Sequence, residues 1–152
     1  MAQATLLSPI GTILIEADAQ HVRSIRVMPH DGEVSSPASS NAVADEAARQ
    51  LAAYFAGRLK SFDLPLAPLA SPRGTALREA ICAIPYGDRL SYGAVARTID
   101  SGPRAIGQAC RRNPMPIIIP CHRVTAADGI GYYSGGNGVE TKIWLLHHEQ
   151  RI

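Results

Sequence analysis

Hydrophobic and polar residues alternate over short stretches in the first thirty or so positions of the chain. The runs rich in β-branched and aliphatic residues are Thr5–Leu7, Thr12–Glu16 and Val22–Met28. Turn-forming tripeptides and tetrapeptides separate them, as is typical of antiparallel strands. The pattern therefore predicts a small antiparallel meander, followed by a loop rich in Pro, Ser and Gly from Pro29 to Asn41.

The hydrophobic period changes after that loop. Apolar residues recur at helical spacing over 42–56, with Asn41 placed to cap the helix and Gly57 to end it. Three prolines then mark an extended connection. We predict two domains joined by a linker. Their bounds are 1–64 for the sheet-plus-helix domain, 65–72 for the linker and 73–152 for the second domain.

The second domain begins with helical patterns at 75–83, 91–99 and 104–112. A tight turn containing Gly102 separates the last two, which makes them a candidate helix-turn-helix. On the second helix of this pair, the polar residues Arg104, Gln108, Arg111 and Arg112 share one side. The small residues Ala105, Gly107 and Ala109 keep that helix slim, which suits close approach to a groove.

A run of isoleucines, 117–119, predicts a buried strand that Pro120 ends. Cys121 and His122 follow at once, so a scaffold would present a thiol beside an imidazole. A neighbouring base can activate a cysteine, but cysteine is also among the most buried residue types, and the pair alone leaves both interpretations open. We expect Cys82 and Cys110 to lie in the core.

A glycine-rich loop with two tyrosines spans 128–138. It lacks the Lys-Ser/Thr order of a phosphate-binding loop but lets backbone N–H groups approach a ligand. The last predicted helix covers 140–150. It carries Lys142 and Glu149 two turns apart, and therefore on one face.

Composition narrows the classes of function. With 46% hydrophobic and 18% charged residues the chain is globular, and no apolar run could span a membrane. Three cysteines and no signal-peptide pattern favour free thiols and a cytoplasmic location. No His/Cys cluster has zinc-ligand spacing, so neither a metal nor another cofactor is expected. The net charge is only +2, yet 101–123 has four arginines and no acidic residue. That stretch is a candidate phosphate-contacting face or a solvated helix surface.

Seven stretches stand in a fixed order between Ile84 and Glu149. They are Ile84-Pro85-Tyr86-Gly87, Ser91-Tyr92-Gly93, Arg104-Ala105-Ile106-Gly107, Asn113-Pro114, Pro120-Cys121-His122-Arg123-Val124, Tyr133-Ser134-Gly135-Gly136, and Lys142 with Trp144-Leu145-Leu146-His147-His148-Glu149. Together they resemble the motifs of the O6-alkylguanine-DNA alkyltransferases (methylated-DNA–protein-cysteine methyltransferases). The resemblance implies an α/β (α+β) fold. An N-terminal ribonuclease-H-like small sheet plus helix would precede a mostly helical domain with the helix-turn-helix and the active-site loop.

The resemblance also implies the chemistry. Cys121 would take the alkyl group from O6 of a guanine rotated out of duplex DNA, irreversibly and once per molecule. His122 would act as the base through a water molecule, oriented by Glu149. The resemblance implies five other site residues. Asn113 would hold the turn before the active-site segment, and Lys142 would lie close to the site. Tyr133 would donate to the guanine, the Ser134 backbone N–H would lie near O6, and the Val124 carbonyl would read the guanine edge.

For DNA, the resemblance implies that the second helix of the helix-turn-helix enters the minor groove. Arg104 would fill the space left by the extruded base, and Tyr92 would help to rotate the nucleotide's phosphate. Further duplex contacts are expected from Ala105, Gly107, Gln108, Arg111, Arg112 and Arg123. The expected partner is duplex DNA containing O6-alkylguanine, bound by a monomer, with no membrane involved.

The sequence departs from the family pattern at three places. Arg73-Gly74 and Leu77-Arg78 stand where relatives usually carry Phe-Gln and Val-Trp, and the segment Gly136–Lys142 is two residues longer. Tyr132 is bulkier than expected and would favour smaller alkyl groups.

Two other functions stay open. A non-catalytic alkyltransferase-like damage sensor would bind flipped guanine, although such proteins lack the cysteine. A Cys-His hydrolase would need an oxyanion hole and would have no use for a basic helix-turn-helix.

Overall fold

The computed structural model describes residues 1–28, 39–133 and 135–150. Most of the predicted loop after the third strand, residues 29–38, lies outside the described residues, as does Ser134. The chain divides into two compact units, Met1–Ala67 and Pro68–Ile152. Within the described part of the chain, no helix is long and apolar enough to cross a lipid bilayer.

The first unit contains an antiparallel sheet in the order β1-β2-β3, which confirms the predicted meander. Its strands are β1 (Ala2–Ser8), β2 (Gly11–Ala17) and β3 (Val22–Met28). Polar side chains close both turns. The Ser8 hydroxyl donates to the Gly11 carbonyl at 2.7 Å, and Asp18 Oδ1 accepts the N–H of His21 at 2.7 Å. Such local bonds hold the chain in the turn conformation and so fix the strand register.

Helix α1 (Ala42–Phe55) packs on this sheet and begins and ends where the sequence predicts. The Asn41 side chain accepts the N–H of Ala44 at 2.8 Å, and Gly57 takes a positive φ of 77° just after the helix. The core of the unit joins the central strand to the apolar side of the helix; its buried residues include Ile13, Ile15, Val22, Ala44, Ala47, Leu51 and Tyr54.

The second unit is mostly helical. Its helices are α2 (Pro72–Cys82), α3 (Tyr92–Arg97), α4 (Pro103–Arg111) and α5 (Val139–Gln150). Ser91 caps α3 by accepting the N–H of Ala94, Asp100 takes a positive φ of 53° in the turn, and Pro103 opens α4. Two short strands that the sequence did not predict, β4 (Leu90–Ser91) and β5 (Val124–Thr125), pair in parallel. This pairing ties the start of α3 to the chain just after the Cys-His-Arg stretch.

The isoleucine run 117–119 is buried as predicted, but the prediction that it forms a strand is wrong. The run forms a tight turn, in which Ile117 has a positive φ of 76° and the Ile119 N–H donates to the Met115 carbonyl at 3.0 Å. Prolines at 114, 116 and 120 surround the run. Because proline has no N–H to donate, this segment cannot form a continuous ladder.

The sequence places Cys82 in the core, but Cys82 is exposed. It is the last residue of α2, and its neighbour Ile81 takes the buried side of the helix. Successive residues of an α-helix point about 100° apart, so only one of the two faces the core fully. Cys110 on α4 is buried, as predicted.

Leu51→Ala should lower the free energy of unfolding by about 2–5 kcal/mol, because it leaves a cavity at a fully buried position. The matched control is Leu7→Ala, since Leu7 is 84% exposed on β1. We expect that control to change stability by less than about 0.5 kcal/mol. Urea unfolding followed by circular dichroism measures both changes, and equal effects would contradict the placement of Leu51 in the core.

Candidate active site

Cys121 opens a single turn of 3₁₀ helix, Cys121–Arg123, and is only 4% exposed. Asn113 holds it in place. The amide Nδ2 of Asn113 donates to the Cys121 sulfur at 3.2 Å and to the Ile119 carbonyl at 2.9 Å. Its Oδ1 accepts the N–H of Met115 at 2.9 Å, which fixes the orientation of the amide. One side chain therefore binds both ends of the isoleucine turn and the thiol, and so determines where the sulfur lies.

Burial raises the pKa of the Cys121 thiol. The hydrogen bond from Asn113 and the positive charge of Lys142 act in the opposite direction without cancelling the effect of burial. The thiol is therefore protonated at neutral pH. Since the thiolate is the nucleophilic form, a base has to remove this proton at the moment of reaction.

His122 follows Cys121 in the chain and is fully buried. Its Nε2 lies 2.6 Å from Oε2 of Glu149 on α5. Burial lowers the pKa of His122 by more than the neighbouring carboxylate raises it, so the imidazole is neutral at neutral pH. Burial would raise the pKa of Glu149, but the hydrogen bonds from His122 and Arg123 outweigh it and lower that pKa to about 2. Glu149 is therefore an ionised acceptor.

A neutral imidazole that faces a carboxylate carries its proton on the nitrogen that donates to it. The proton of His122 is therefore on Nε2, which leaves Nδ1 as an acceptor. Nδ1 is buried and has no hydrogen-bond partner among the described residues. An imidazole acceptor oriented by a carboxylate has the geometry of a general base.

Arg123 neutralises Glu149. Its Nε and Nη2 donate to the two carboxylate oxygens at 2.8 and 3.0 Å, and its Nη1 donates to the Ile84 carbonyl at 2.8 Å. The residue is only 6% exposed. This geometry contradicts the prediction that Arg123 contacts DNA, because the guanidinium points inward and each of its nitrogens already donates within the protein. The sequence signal for a basic face did not distinguish this arginine from the exposed ones.

Lys142 of α5 is fully buried. Its Nζ donates to the Val124 carbonyl at 2.7 Å and to the Tyr132 carbonyl at 3.0 Å. Burial lowers the pKa of Lys142. These two bonds tie β5, which follows the Cys121 turn, to the glycine-rich loop. The Val124 carbonyl keeps a second lone pair, so the bond to Lys142 leaves it able to accept from a guanine.

Tyr133 lies in the same buried cluster, close to Cys121 and Glu149. It is 4% exposed, and its hydroxyl has no partner in the described part of the chain. Burial raises its pKa well above the usual value, so the hydroxyl keeps its proton and can donate. A Cβ on Gly135 would lie 2.9 Å from the Tyr133 ring, so only glycine leaves room for the ring in this position.

Helix α4 presents the polar side that the sequence predicts. Its exposed polar residues are Arg104, Gln108 and Arg111, and Arg112 just after the helix is also exposed, while Ile106 and Cys110 are buried. Ala105 and Gly107 are half-buried between the arginines. A Cβ on Gly107 would lie 4.0 Å from the ring of Tyr92, at ordinary van der Waals distance, so α4 passes close to Tyr92 at this residue.

Tyr92 and α4 line a surface cavity of about 550 Å³ that Tyr132 of the glycine-rich loop also borders. The guanidinium of Arg111 lies 5.5 Å from the centre of the Tyr132 ring, within the range of a cation–π contact. Because Tyr133 follows Tyr132 directly, the cavity borders the loop that carries the buried hydroxyl. The exposed basic helix and the buried cluster are thus neighbours along this loop.

The structure gathers one buried cluster, which the half-buried Asn113 contacts through the thiol; its members are Cys121, His122, Val124, Tyr133, Lys142 and Glu149. The residues around α4 are exposed or half-buried; they are Tyr92, Arg104, Ala105, Gly107, Gln108, Arg111 and Arg112. Ser134 lies outside the described residues. Their roles remain predictions. Sequence reasoning missed two backbone partners of the cluster, the Ile84 carbonyl and the Gly87 N–H, which lies 3.3 Å from Glu149 Oε1. The sequence signal that pointed to these two backbone groups was the match of Ile84–Gly87 to a family motif.

Two family models match the chain, and together they cover most of it. The model described as "6-O-methylguanine DNA methyltransferase, ribonuclease-like domain" matches residues 1–68. The model described as "6-O-methylguanine DNA methyltransferase, DNA binding domain" matches residues 74–151. The two matches follow the same order as the two compact units of the structure.

Full-length relatives agree with the family models. The methylated-DNA–protein-cysteine methyltransferase of Methanosarcina acetivorans is 42% identical over 156 residues, covering 98% of this chain and 98% of the relative. The DNA base-flipping protein of Thermus thermophilus is 36% identical over 147 residues, covering 95% and 97%. The crystal structure of Mycobacterium tuberculosis OGT in complex with DNA aligns with a TM-score of 0.84 at 33% identity, over 99% of this chain and 93% of that one. The predicted resemblance is confirmed, and the chain belongs to the methylated-DNA–protein-cysteine methyltransferase family.

Proposed function

We propose that this chain repairs O6-alkylguanine in duplex DNA by moving the alkyl group to Cys121 in one irreversible step. The observation that carries the proposal is a pair of buried polar atoms without partners among the described residues: Nδ1 of His122, an acceptor, and the hydroxyl of Tyr133, a donor. Buried polar groups are nearly always hydrogen-bonded. Both atoms lie in the same cluster as the thiol. A bridging water would donate to the open acceptor, and a bound substrate would accept from the open donor.

In the proposed reaction His122 Nδ1 receives the proton of the Cys121 thiol, through a bridging water. The thiolate sulfur attacks the alkyl carbon, a carbon–sulfur bond forms, and the carbon–O6 bond breaks with its electron pair left on the guanine. The Tyr133 hydroxyl donates to the guanine as negative charge develops there. The guanine regains a proton, so the thiol proton is exchanged for the alkyl group. The thioether is stable in water, and each molecule therefore acts once.

Base flipping is part of the proposal. A thiol that is 4% exposed cannot reach an atom of a base inside the duplex, so the damaged guanine has to leave the stack. Helix α4 would lie in the minor groove, with Arg104 in the space vacated by the base and Tyr92 beside the rotated phosphate. The exposure of Arg104, Gln108, Arg111 and Arg112 on one side of the helix supports this orientation.

A damage sensor that flips the base without reacting is the second candidate, since one relative is named a DNA base-flipping protein. The contact of Asn113 with the sulfur favours transfer. Orienting a thiol at 3.2 Å serves a reaction of that thiol, which a protein that only binds the lesion does not carry out.

We expect Cys121 to be the residue that accepts the alkyl group. Incubation with a duplex containing one O6-methylguanine should add a single methyl group, mapped to Cys121 by intact mass and peptide analysis. Cys121→Ala should abolish the addition, whereas Cys82→Ala should retain it, because Cys82 is exposed and outside the cluster. Burial raises the pKa of Cys110 to about 12, so it should not compete. A methyl group on Cys82 or Cys110 would refute the assignment; lesion binding without added mass would favour the sensor.

Tyr133→Phe should slow transfer by roughly 100- to 1,000-fold, the range that a single hydrogen-bond donor to developing charge contributes. Stability should hardly change, because the hydroxyl has no partner among the described residues. Single-turnover kinetics and thermal unfolding measure the two effects. A large loss of stability would show that the hydroxyl is a structural donor instead.

The single-turnover rate should stay level through neutral pH and fall only on the acid side, below the usual histidine value of about 6.5. The reason is that burial lowers the pKa of His122, so its basic form persists to lower pH than that of a free imidazole. Glu149, with a pKa of about 2, stays ionised over this range. A rate that already declined between about pH 8 and 7 would argue against a neutral His122.

A further inference from the structure

Helices α2 and α4 enclose a second surface cavity, of about 460 Å³, beside the isoleucine turn. Small residues on the facing sides of the two helices, Gly74, Ala105 and Ala109, leave the space open. A Cβ on Gly74 would already lie 3.0 Å from the Ser71 hydroxyl. We call this cavity the α2–α4 groove. It belongs to the second unit alone, and the reaction proposed above does not use it.

Three arginines line the α2–α4 groove: Arg73 and Arg78 from α2, and Arg112 from the end of α4. No acidic residue is among its lining residues. Arg73 and Arg112 are exposed, and Arg78 is half-buried. The Nη2 of Arg73 donates to the Ser101 hydroxyl at 2.7 Å, which directs that side chain toward the start of α4. Three like charges around one concave surface favour an anionic ligand.

The floor of the groove is apolar, with Leu77 and Ile81 of α2 and Ile119 of the isoleucine turn. An apolar floor with a guanidinium rim matches a sugar–phosphate backbone, in which apolar deoxyribose alternates with anionic phosphate. Guanidinium groups bind phosphate oxygens through two parallel hydrogen bonds, and phosphate neutralisation by Arg and Lys supplies the sequence-independent part of DNA binding.

The α2–α4 groove lies beside the face of α4 that carries the exposed arginines. Gln108 lines both the α2–α4 groove and the cavity bordered by Tyr92 and Tyr132. The two concave surfaces therefore flank the same helix, one on each side of Gln108. A duplex lying across α4 would bring one backbone toward Tyr92 and the other toward α2.

We propose that the α2–α4 groove holds the sugar–phosphate backbone of one DNA strand through Arg73, Arg78 and Arg112, and so extends the duplex interface beyond the recognition helix to α2. The inference rests on the proposed function, because it takes duplex DNA as the ligand. It adds two DNA-contacting residues, Arg73 and Arg78, that the family motifs do not include.

The test is the salt dependence of binding by the full chain to an unmodified duplex, followed by fluorescence anisotropy. Arg73→Gln/Arg78→Gln should reduce the slope of log affinity against log salt by about 2, since each phosphate contact contributes about 0.9. Affinity at about 0.1 M salt should fall by roughly tenfold for each arginine. Arg73→Lys/Arg78→Lys should recover most of the slope, because the positive charges return.

The matched control is Arg89→Gln/Arg97→Gln, which removes the same charge from exposed positions of the same unit that line neither cavity. Its slope should equal that of the wild type. An unchanged slope in the Arg73/Arg78 variant, or an equal loss in the control, overturns the proposal and leaves a protein partner as the occupant of the groove. If circular dichroism shows the double variant unfolded, Arg73→Gln alone, at an exposed position, should reduce the slope by about 1.

Methyl acceptance by the wild type and the salt slope of the variant distinguish a failure of the groove from a failure of the repair function. Wild-type protein that accepts a methyl group, together with an unchanged slope in the variant, would refute the groove and keep the repair function. A reduced slope in the variant, with no methyl acceptance by the wild type, would keep the groove and refute the repair function.

Discussion

The buried carboxylate of Glu149 is the constraint on which the second unit depends. It accepts hydrogen bonds from His122, Arg123 and the Gly87 N–H, and through Arg123 it is linked to the Ile84 carbonyl. These groups come from the last helix, the cysteine turn and the turn after α2. Removing one partner of a buried ion pair costs about 3–5 kcal/mol, because the other charge stays desolvated. The site and the fold of this unit are therefore stabilised by the same bonds.

The basic residues of the second unit fall into a buried group and an exposed group. Arg123 and Lys142 lie inside, where one neutralises a carboxylate and the other binds backbone carbonyls. Since Arg123 supplies the charge that Glu149 needs, His122 can remain neutral and keep an acceptor nitrogen. The arginines of α4 stay on the surface, available to phosphate. The buried cations and the exposed ones thus differ in burial and in the groups that they contact.

The thiol depends on a second constraint, the tight turn before it. A β-branched residue with a positive φ, as at Ile117, is strained, and such strain persists only where the surroundings enforce it. Here the enforcing contacts are the buried isoleucine side chains and the two hydrogen bonds from Asn113. The composition of this turn resembles that of a strand because β-branched residues favour strands on average. Which backbone groups find partners is not visible in composition.

Local signals in the sequence determined the helices, the meander and the identity of the family. Asn41, Ser91 and Gly57 act through contacts with residues only a few positions away, so their effects can be predicted from neighbours alone. The ordered motifs likewise specified the cysteine, the histidine and the glutamate. Only the tertiary structure decided that Arg123 points inward and Arg111 outward, and that Cys82 lies outside the core. Burial depends on groups distant in the chain, such as Glu149, 26 residues from Arg123, and no local pattern encodes that distance.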